Sequence, residues 1–162
     1  MTSEKLNLVE FLNQQYLCES LTVKEVQTLL DYTDVVEFKK GDVIADIGDV
    51  GEALFFVLEG EAVLMHEDNG DETEVGQVHK GELVGEMSFF DRQPRSVRLR
   101  AGNGKAKLLK LTRTMYSRLR VEHPYIAVNL LEHAIVSLDH LFRRVSSDVA
   151  TFSHYLYGKG KH

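Results

Sequence analysis

The sequence predicts a mainly β fold: a jelly-roll β barrel flanked by N-terminal helices and a long C-terminal helix. Short runs of β-type residues lie between glycine turns over residues 35–111. Apolar residues recur at helical spacing before and after that stretch. The chain has 162 residues, which is the usual size of one domain and enough to bury a core.

The first 32 residues are predicted to form two helices. A first helix over residues 4–17 is indicated by the near-helical spacing of Leu6, Val9, Leu12 and Leu17. Thr22 and Glu25 then form a capping-box signature, which predicts the start of a second helix.

Seven β-type runs follow, at residues 35–38, 43–45, 54–58, 62–65, 73–78, 97–101 and 106–111. The pair Asn69-Gly70 predicts a tight hairpin turn between two of them. The segment Gly102-Asn103-Gly104 predicts another hairpin between the last two runs. This number of short strands with glycine turns is typical of a closed roll or a jelly roll.

The pattern returns to helical after the last strand. Thr112 is the predicted N-cap of a helix to about Val121, and Pro124 is predicted to open the last and longest helix, which runs to about Val145 or beyond. One apolar stripe comprises Ile126, Leu130, Ala134, Leu138, Leu141 and Val145, and a second comprises Ala127, Leu131, Ile135 and Phe142. Two stripes predict two neighbours, namely the β roll and a partner helix. A homodimer through this helix is therefore a hypothesis, and a wider groove within one monomer is the alternative.

Charge and cysteine content narrow the class of protein. A net charge of −6 argues against a general nucleic-acid or membrane-surface binder, because those need a basic face. Cys18 is the single cysteine, so no intrachain disulfide can form, and we expect a partly buried structural thiol. With no signal peptide at the start and no run of about 20 apolar residues, we expect a cytoplasmic protein. The tail at residues 158–162 is expected to be disordered.

Residues 84–97 carry the most informative chemistry. Gly85 and Glu86 precede a short apolar run, and Pro94, Arg95 and Ser96 end the segment. Such a segment can form a turn of helix whose free N–H groups attract an anion, and Arg95 adds a permanent forked donor set suited to phosphate. A carboxylate beside a phosphate makes sense if it accepts hydrogen bonds from a neutral diol. The segment therefore suggests a ligand with one phosphate and one sugar hydroxyl.

Simpler interpretations of these residues remain open. Arg95 could pair with Asp91 or Glu86 at the surface, and Glu86 could merely cap the short helix, in which case it should face solvent. Ser96 could simply begin the next strand.

The ordered motifs resemble those of the cyclic nucleotide-binding domain family. Residues 38–44 lead to Gly48-Asp49, and residues 54–60, 81–86 and 94–96 follow in the family's order. The resemblance covers about Leu6 to Val145. It implies a cyclic nucleotide-binding domain over residues 1–147, with N-terminal helices at 4–32, an eight-stranded β roll at 35–111, C-terminal helices at 112–147 and a tail at 148–162. It also implies that residues 84–97 form a phosphate-binding cassette.

By position, the resemblance assigns roles to individual residues. Arg95 would pair with the cyclic phosphate, and Glu86 would accept from the ribose 2′-hydroxyl. The remaining expected ligand contacts are Gly85, the N–H groups of Met87 and Ser88, the hydroxyl of Ser96, the apolar pocket residues Leu64, Val75 and Val78, and Leu141 or Phe142 against the base. The pocket residues would be apolar in any β roll, and Phe142 could instead face a dimer partner.

We expect a stand-alone sensor that responds to cyclic AMP more than to cyclic GMP and signals by movement of its last helix to an effector protein. Only about twenty residues follow that helix, too few for a helix-turn-helix unit, so we expect no direct DNA binding. The net charge and the lack of a long apolar run lead us to expect no membrane contact. We expect neither an enzyme nor a resident cofactor or metal, because His66 and His79 lack the spacing of a metal-dependent oxygenase site. The alternative function is a degenerate fold that serves as a dimerisation scaffold without ligand.

Overall fold

The computed structural model describes residues 2–157; the side chains at 87, 141, 144, 145, 151, 152, 155 and 157 and the predicted tail at 158–162 lie outside the described residues. Residues 2–157 contain five α-helices and eight β-strands, which are the seven predicted β-type runs and a further short strand at Leu83–Val84. The strands are β1 Asp34–Phe38, β2 Val43–Ala45, β3 Ala53–Glu59, β4 Glu61–Asp68, β5 Asp71–His79, β6 Leu83–Val84, β7 Arg98–Ala101 and β8 Ala106–Thr112.

The N-terminal helices are α1 Ser3–Asn13 and α2 Val23–Asp31, with a 3₁₀ turn at Tyr16–Cys18 between them. The first helix therefore ends at Asn13 and not at residue 17 as predicted. Leu17, the last residue of the predicted apolar pattern, lies in the 3₁₀ turn instead. The predicted capping box is present: Thr22 and Glu25 each accept the other's backbone N–H, at 3.2 and 3.0 Å. Cys18 is fully buried in the core, and burial raises its pKa to about 12, so it is an inert structural thiol.

The strands form two four-stranded antiparallel sheets, ordered β1-β8-β3-β6 and β2-β7-β4-β5. No ladder joins the two sheets within residues 2–157, so of the two predicted forms the closed roll is wrong, and the strands form an open pair of antiparallel sheets. The Asn69-Gly70 hairpin is confirmed between β4 and β5, with both residues at positive φ, 52° and 86°.

The predicted hairpin at residues 102–104 is wrong, because β7 and β8 belong to different sheets. β7 already pairs with β2 on one side and β4 on the other, so no edge is left for β8. Gly102 N–H donates to Glu61 O at 2.9 Å, and a Cβ on Gly102 would lie 2.6 Å from Glu61 Cγ. The glycine thus lets the chain cross between sheets.

Strand β3 is buried on both faces and divides two cores. Its residues Leu54, Phe56 and Leu58 pack with the helices, and its residues Ala53, Phe55 and Val57 pack between the sheets. This division follows the two-residue period of a strand. The run over residues 53–58 is almost entirely apolar because the helices cover one face of β3 and the other sheet covers its second face.

The C-terminal helices are α4 Arg113–Glu122 and α5 Pro124–Tyr157. Thr112 Oγ1 accepts from Met115 N–H at 3.2 Å, so the predicted cap is confirmed. Helix α5 continues through Tyr157, so residues 148–157, which the resemblance assigned to a C-terminal tail, are helical. No proline interrupts the chain after Pro124, and nothing in the local sequence stops the helix.

The described side chains of α5 that are buried against its own domain all lie in its first third. Ile126, Ala127, Leu130 and Ala134 are buried, and Asn129 Nδ2 donates to Leu17 O at 2.6 Å. Of the described large apolar residues that follow, Val136 is half-buried, and five are exposed: Ile135, Leu138, Phe142, Val149 and Leu156.

Candidate ligand-binding site

Gly85 joins β6 to helix α3, which spans Glu86–Asp91, through a backbone conformation that favours glycine. Its φ is +94°, in the left-handed region. A Cβ here would lie 3.3 Å from the carbonyl oxygen of Ala53 and 3.3 Å from Nη2 of Arg95. The glycine therefore allows both the turn and the close approach of the Arg95 guanidinium to the start of α3.

Helix α3 presents its first turn at the same place. The first backbone bond of the helix runs from Phe89 N–H to Gly85 O at 3.2 Å. The N–H groups of residues 86–88 precede that bond and have no carbonyl within the helix to donate to. This position suits the donor role expected of the Met87 and Ser88 backbone; the Met87 side chain lies outside the described residues.

The Ser88 side chain links helix α3 to two other segments of the site. Ser88 Oγ accepts from Gly51 N–H and donates to Gln93 O, both at 2.6 Å, and the residue is 4% exposed. This hydroxyl therefore ties α3 to the loop before β3 and to the chain beyond α3.

Backbone hydrogen bonds hold Arg95 in place. Arg95 N–H donates to Asp49 O, and Gly48 N–H donates to Arg95 O, both at 2.8 Å. A β-bridge between Val50 and Pro94 continues this pairing. The Gly48-Asp49 motif is thus the part of the chain that positions the arginine.

The Arg95 guanidinium is partly buried, and no carboxylate of the described residues lies within the 4.0 Å of an ion pair with it. Burial lowers the pKa of Arg95, and the charges of Asp49 and Glu86 oppose that shift. By contrast, Arg98 contacts the carboxylates of three residues, among them Asp46 at 2.7 Å. The proposed surface ion pair of Arg95 with Asp91 or Glu86 is therefore not formed.

Glu86 lies beside Arg95 and is only 7% exposed, so it does not merely cap α3 in solvent. Burial raises the pKa of its carboxyl group, while its own backbone N–H, the Ser137 hydroxyl and the charge of Arg95 oppose that rise. Ser137 Oγ, on α5, donates to Glu86 Oε1 at 2.9 Å.

Two opposite charges are thus held next to each other without pairing. A guanidinium without a carboxylate partner suits an anion, and a buried carboxylate suits a hydroxyl donor. A ligand that carries an anionic oxygen close to a hydroxyl group would satisfy both groups at once. A small cyclised phosphate ester of a sugar has that chemistry.

The apolar residues expected around a base lie on β4 and β5. Leu64 and Val78 pack with the core between the sheets. A bulge shifts the register, because Leu64 faces Gly76 whereas the next residue of β4 faces Glu74. Val75 is left unpaired by that bulge and is 56% exposed.

The other expected contacts are not gathered at the cassette. Ser96 is exposed at the entry to β7. Phe142 is 72% exposed, eight residues beyond the last buried residue of α5 that the described chain contains, which is Ala134. The Leu141 side chain lies outside the described residues.

Ser137 is the contact that the sequence-based interpretation missed. It follows Ala134 by three residues and Leu130 by seven, so it continues the buried face of α5 with a hydroxyl in place of an apolar side chain. This one polar residue on an otherwise apolar face is the sequence signal from which the contact could have been found.

Other kinds of site find less support in the structure. Within the described chain, no three His, Cys, Asp or Glu side chains come together in a way that could hold a metal ion. A cavity of about 660 Å³ lies under α1, where Lys5, Phe11 and Leu58 are among its lining residues, but it contains neither Arg95 nor Glu86. Among residues 2–157, no helix has the length and apolar character needed to span a bilayer.

Comparison with known proteins gives a consistent result. Residues 35–123 match the family model described as the cyclic nucleotide-binding domain. A cAMP-dependent protein kinase regulatory subunit from Blastocladiella emersonii is 35% identical over 120 residues, which cover 73% of this chain and 30% of that protein. The chain thus spans under a third of this curated relative's length.

Two solved structures have the same fold. A cyclic nucleotide-binding domain from Methylobacillus flagellatus superposes with a TM-score of 0.78 at 23% identity, covering 91% of this chain and 83% of that one. The Thermus thermophilus catabolite activator protein gives 0.68 at 30% identity, with 85% and 64% covered. The chain belongs to the cyclic nucleotide-binding domain family, as its motifs predicted.

Proposed function

We propose that this chain binds cyclic AMP and passes the signal to a partner protein through α5. The observation that carries the proposal is the pair Arg95 and Glu86, a guanidinium without a carboxylate within 4.0 Å beside a carboxylate that is 7% exposed. Arg95 would bind the cyclic phosphate, and Glu86 would accept from the ribose 2′-hydroxyl. Gly85 would let the sugar approach the backbone closely, and no covalent step is required.

The remaining contacts follow from the same pose. The N–H groups of Met87 and Ser88 would donate to the sugar and phosphate, and Ser96 would add its hydroxyl to the phosphate. The base would lie against Leu64, Val75 and Val78, with Leu141 or Phe142 as a lid. Closing that lid requires α5 to move, since Phe142 is 72% exposed.

The choice of cyclic AMP over cyclic GMP is supported by the relatives. The 35% identical protein is named for its dependence on cAMP. The cassette also lacks a threonine, which in members of this family often favours guanine.

Thermal melting with cyclic AMP, cyclic GMP and linear 5′-AMP tests this proposal. At a ligand concentration about one hundred times the dissociation constant, a bound ligand stabilises the fold by about 2.7 kcal/mol. For a domain of this size the melting temperature should rise by about 5–10 °C. We expect cyclic AMP to give the largest shift and 5′-AMP the smallest. No shift with either cyclic nucleotide would leave only the dimerisation scaffold.

The exposed apolar face of α5 supports a homodimer. Ile135, Leu138 and Phe142 are 59%, 36% and 72% exposed, and they lie at helical spacing beyond the part of α5 that packs on its own domain. An apolar stripe of this kind suits a second copy of the same helix. Light scattering should give twice the chain mass, and the double variant I135S/F142S should give one chain mass. A wild-type monomer with and without ligand would contradict the dimer.

A further inference from the structure

The hydrogen bond between Ser137 and Glu86 joins the long helix to the cassette. Ser137 Oγ donates to Glu86 Oε1 at 2.9 Å, across 51 positions of sequence. Ala134, one turn earlier on α5, is 3% exposed, whereas Leu138 is 36% exposed. The bond therefore forms where α5 leaves the surface of its own domain.

The two charged groups of the site differ in how well they are covered. Glu86 is 7% exposed, whereas Arg95 is only partly buried. A ligand can thus reach the guanidinium first, but it can reach the carboxylate only by displacing a group that covers it. The Ser137 hydroxyl is a covering group, and it holds one carboxylate oxygen.

We propose that the Ser137 hydroxyl occupies on Glu86 the place of the ligand's ribose hydroxyl, so that cyclic nucleotide binding must break this bond between α5 and the cassette. The inference rests on the proposed function and assigns a switching role to a residue outside the cassette. The exchange replaces one hydroxyl donor by another. Glu86 therefore keeps a hydrogen-bond donor in both states and is never left buried without one.

This exchange has two consequences. The ligand shifts α5 only to the extent that it prefers the arrangement without the Ser137–Glu86 bond, and competition for one carboxylate provides that preference. A ligand without the hydroxyl would displace Ser137 and leave the carboxylate unpaired, which is the costly outcome for a buried charge. The selectivity for ribose over deoxyribose therefore comes from Glu86, and the Ser137 bond lowers the affinity for both ligands equally.

Calorimetric titration of Ser137→Ala with cyclic AMP and with 2′-deoxy cyclic AMP tests the proposal. The variant removes a bond that exists only in the free protein, so both ligands should bind at least about tenfold more tightly than to wild type. Ser147→Ala is the matched control, because Ser147 is an exposed serine on the same helix, and it should leave both affinities unchanged. Because burial raises the pKa of Glu86, all titrations are made at one mildly alkaline pH, which favours its ionised form.

Weaker binding of cyclic AMP to Ser137→Ala would show that the serine positions Glu86 for the ligand, and unchanged binding would show that the bond has no part in recognition. Either result overturns the proposal. Hydrogen exchange of the amides at residues 134–141 gives a second readout. In the absence of ligand, Ser137→Ala should exchange faster than wild type, whereas equal rates in the two free proteins would show that the bond does not hold α5 on the cassette.

The outcomes also separate this inference from the proposed function. Wild-type protein that binds the cyclic nucleotide while Ser137→Ala binds it no better refutes the role of Ser137 alone. Failure of both proteins to bind any cyclic nucleotide refutes the proposed function and this inference together.

Discussion

Replacing Arg95 by alanine should separate ligand binding from folding. The guanidinium lies against Gly85 with no described carboxylate within 4.0 Å, and burial lowers its pKa. A partly buried charge without an ion-pair partner contributes little to the stability of the free protein. We therefore expect the melting temperature of ligand-free Arg95→Ala to be no lower than that of wild type.

The loss in affinity should be large. Each hydrogen bond to a charged group contributes about 1.5–3 kcal/mol, and loss of one partner of a buried charge pair costs about 2–5 kcal/mol. At about 1.4 kcal/mol per factor of ten, binding of cyclic AMP should weaken by at least about 30-fold. Arg95→Lys keeps the charge but loses the forked geometry, so it should fall between alanine and wild type.

Isothermal titration calorimetry measures these affinities directly. Arg120→Ala is the control, because it removes the same charge from an exposed position on α4. It should bind cyclic AMP as wild type does, which would show that net charge does not determine affinity. Wild-type affinity in Arg95→Ala, with the fold intact, would refute the assignment of the phosphate site.

Burial raises the pKa of the Glu86 carboxyl group, so acidification protonates it. The affinity of wild type for cyclic AMP should therefore fall as the pH drops through that pKa. In Glu86→Gln the affinity should not change with pH. The same raised pKa makes folded protein take up this proton before unfolded chain does, so the residue's contribution to the free energy of unfolding increases as the pH falls through that window. Gly85→Ala and Gly48→Ala each place alanine at a positive φ, +94° and +88°, which costs about 1–2 kcal/mol. Only an added Cβ at Gly85 would meet other atoms within 4 Å, among them the Arg95 guanidinium, so Gly85→Ala should weaken binding more than Gly48→Ala. Ser88→Ala removes two buried hydrogen bonds of 2.6 Å and should lower the free energy of unfolding by about 1–3 kcal/mol, whereas the exposed Ser117→Ala should not.

Three measurements check these expectations. A pH series of titrations that shows equal slopes for wild type and Glu86→Gln would contradict the role of the carboxylate. Equal affinities for the two glycine variants would mean that close approach at Gly85 is unimportant. Denaturant unfolding of Ser88→Ala at the wild-type midpoint would show that the cassette is not held by its serine.

Local signals were sufficient for much of the fold. The capping box at Thr22, the helix cap at Thr112 and the Asn69-Gly70 turn each depend on a few neighbouring residues, and each forms as predicted. The family was recognisable because its motifs keep their order along the chain.

Features that depend on distant partners were not predictable from local pattern. The glycines at 102–104 signal a turn, but the pairing of β7 on both edges decides that the turn leads into the other sheet. Likewise, whether eight strands close into a barrel depends on ladders between the sheets, which the pattern of single strands does not contain.

The candidate site shows the same division. The cassette residues Gly85, Glu86 and Arg95 come together as their motif implies, since they lie within eleven positions of one another. Ser137 enters from 51 positions away, through the packing of α5 against the domain. Val75 is displaced by a register shift that involves the neighbouring strand.

The most direct test is a thermodynamic cycle that pairs one change in the protein with one change in the ligand. Affinities of wild type and Glu86→Ala are measured for cyclic AMP and for 2′-deoxy cyclic AMP. If Glu86 accepts from the ribose hydroxyl, removing that hydroxyl should weaken binding to wild type by at least about tenfold and leave binding to Glu86→Ala unchanged. The same loss in both proteins, or no binding to wild type, would contradict the account.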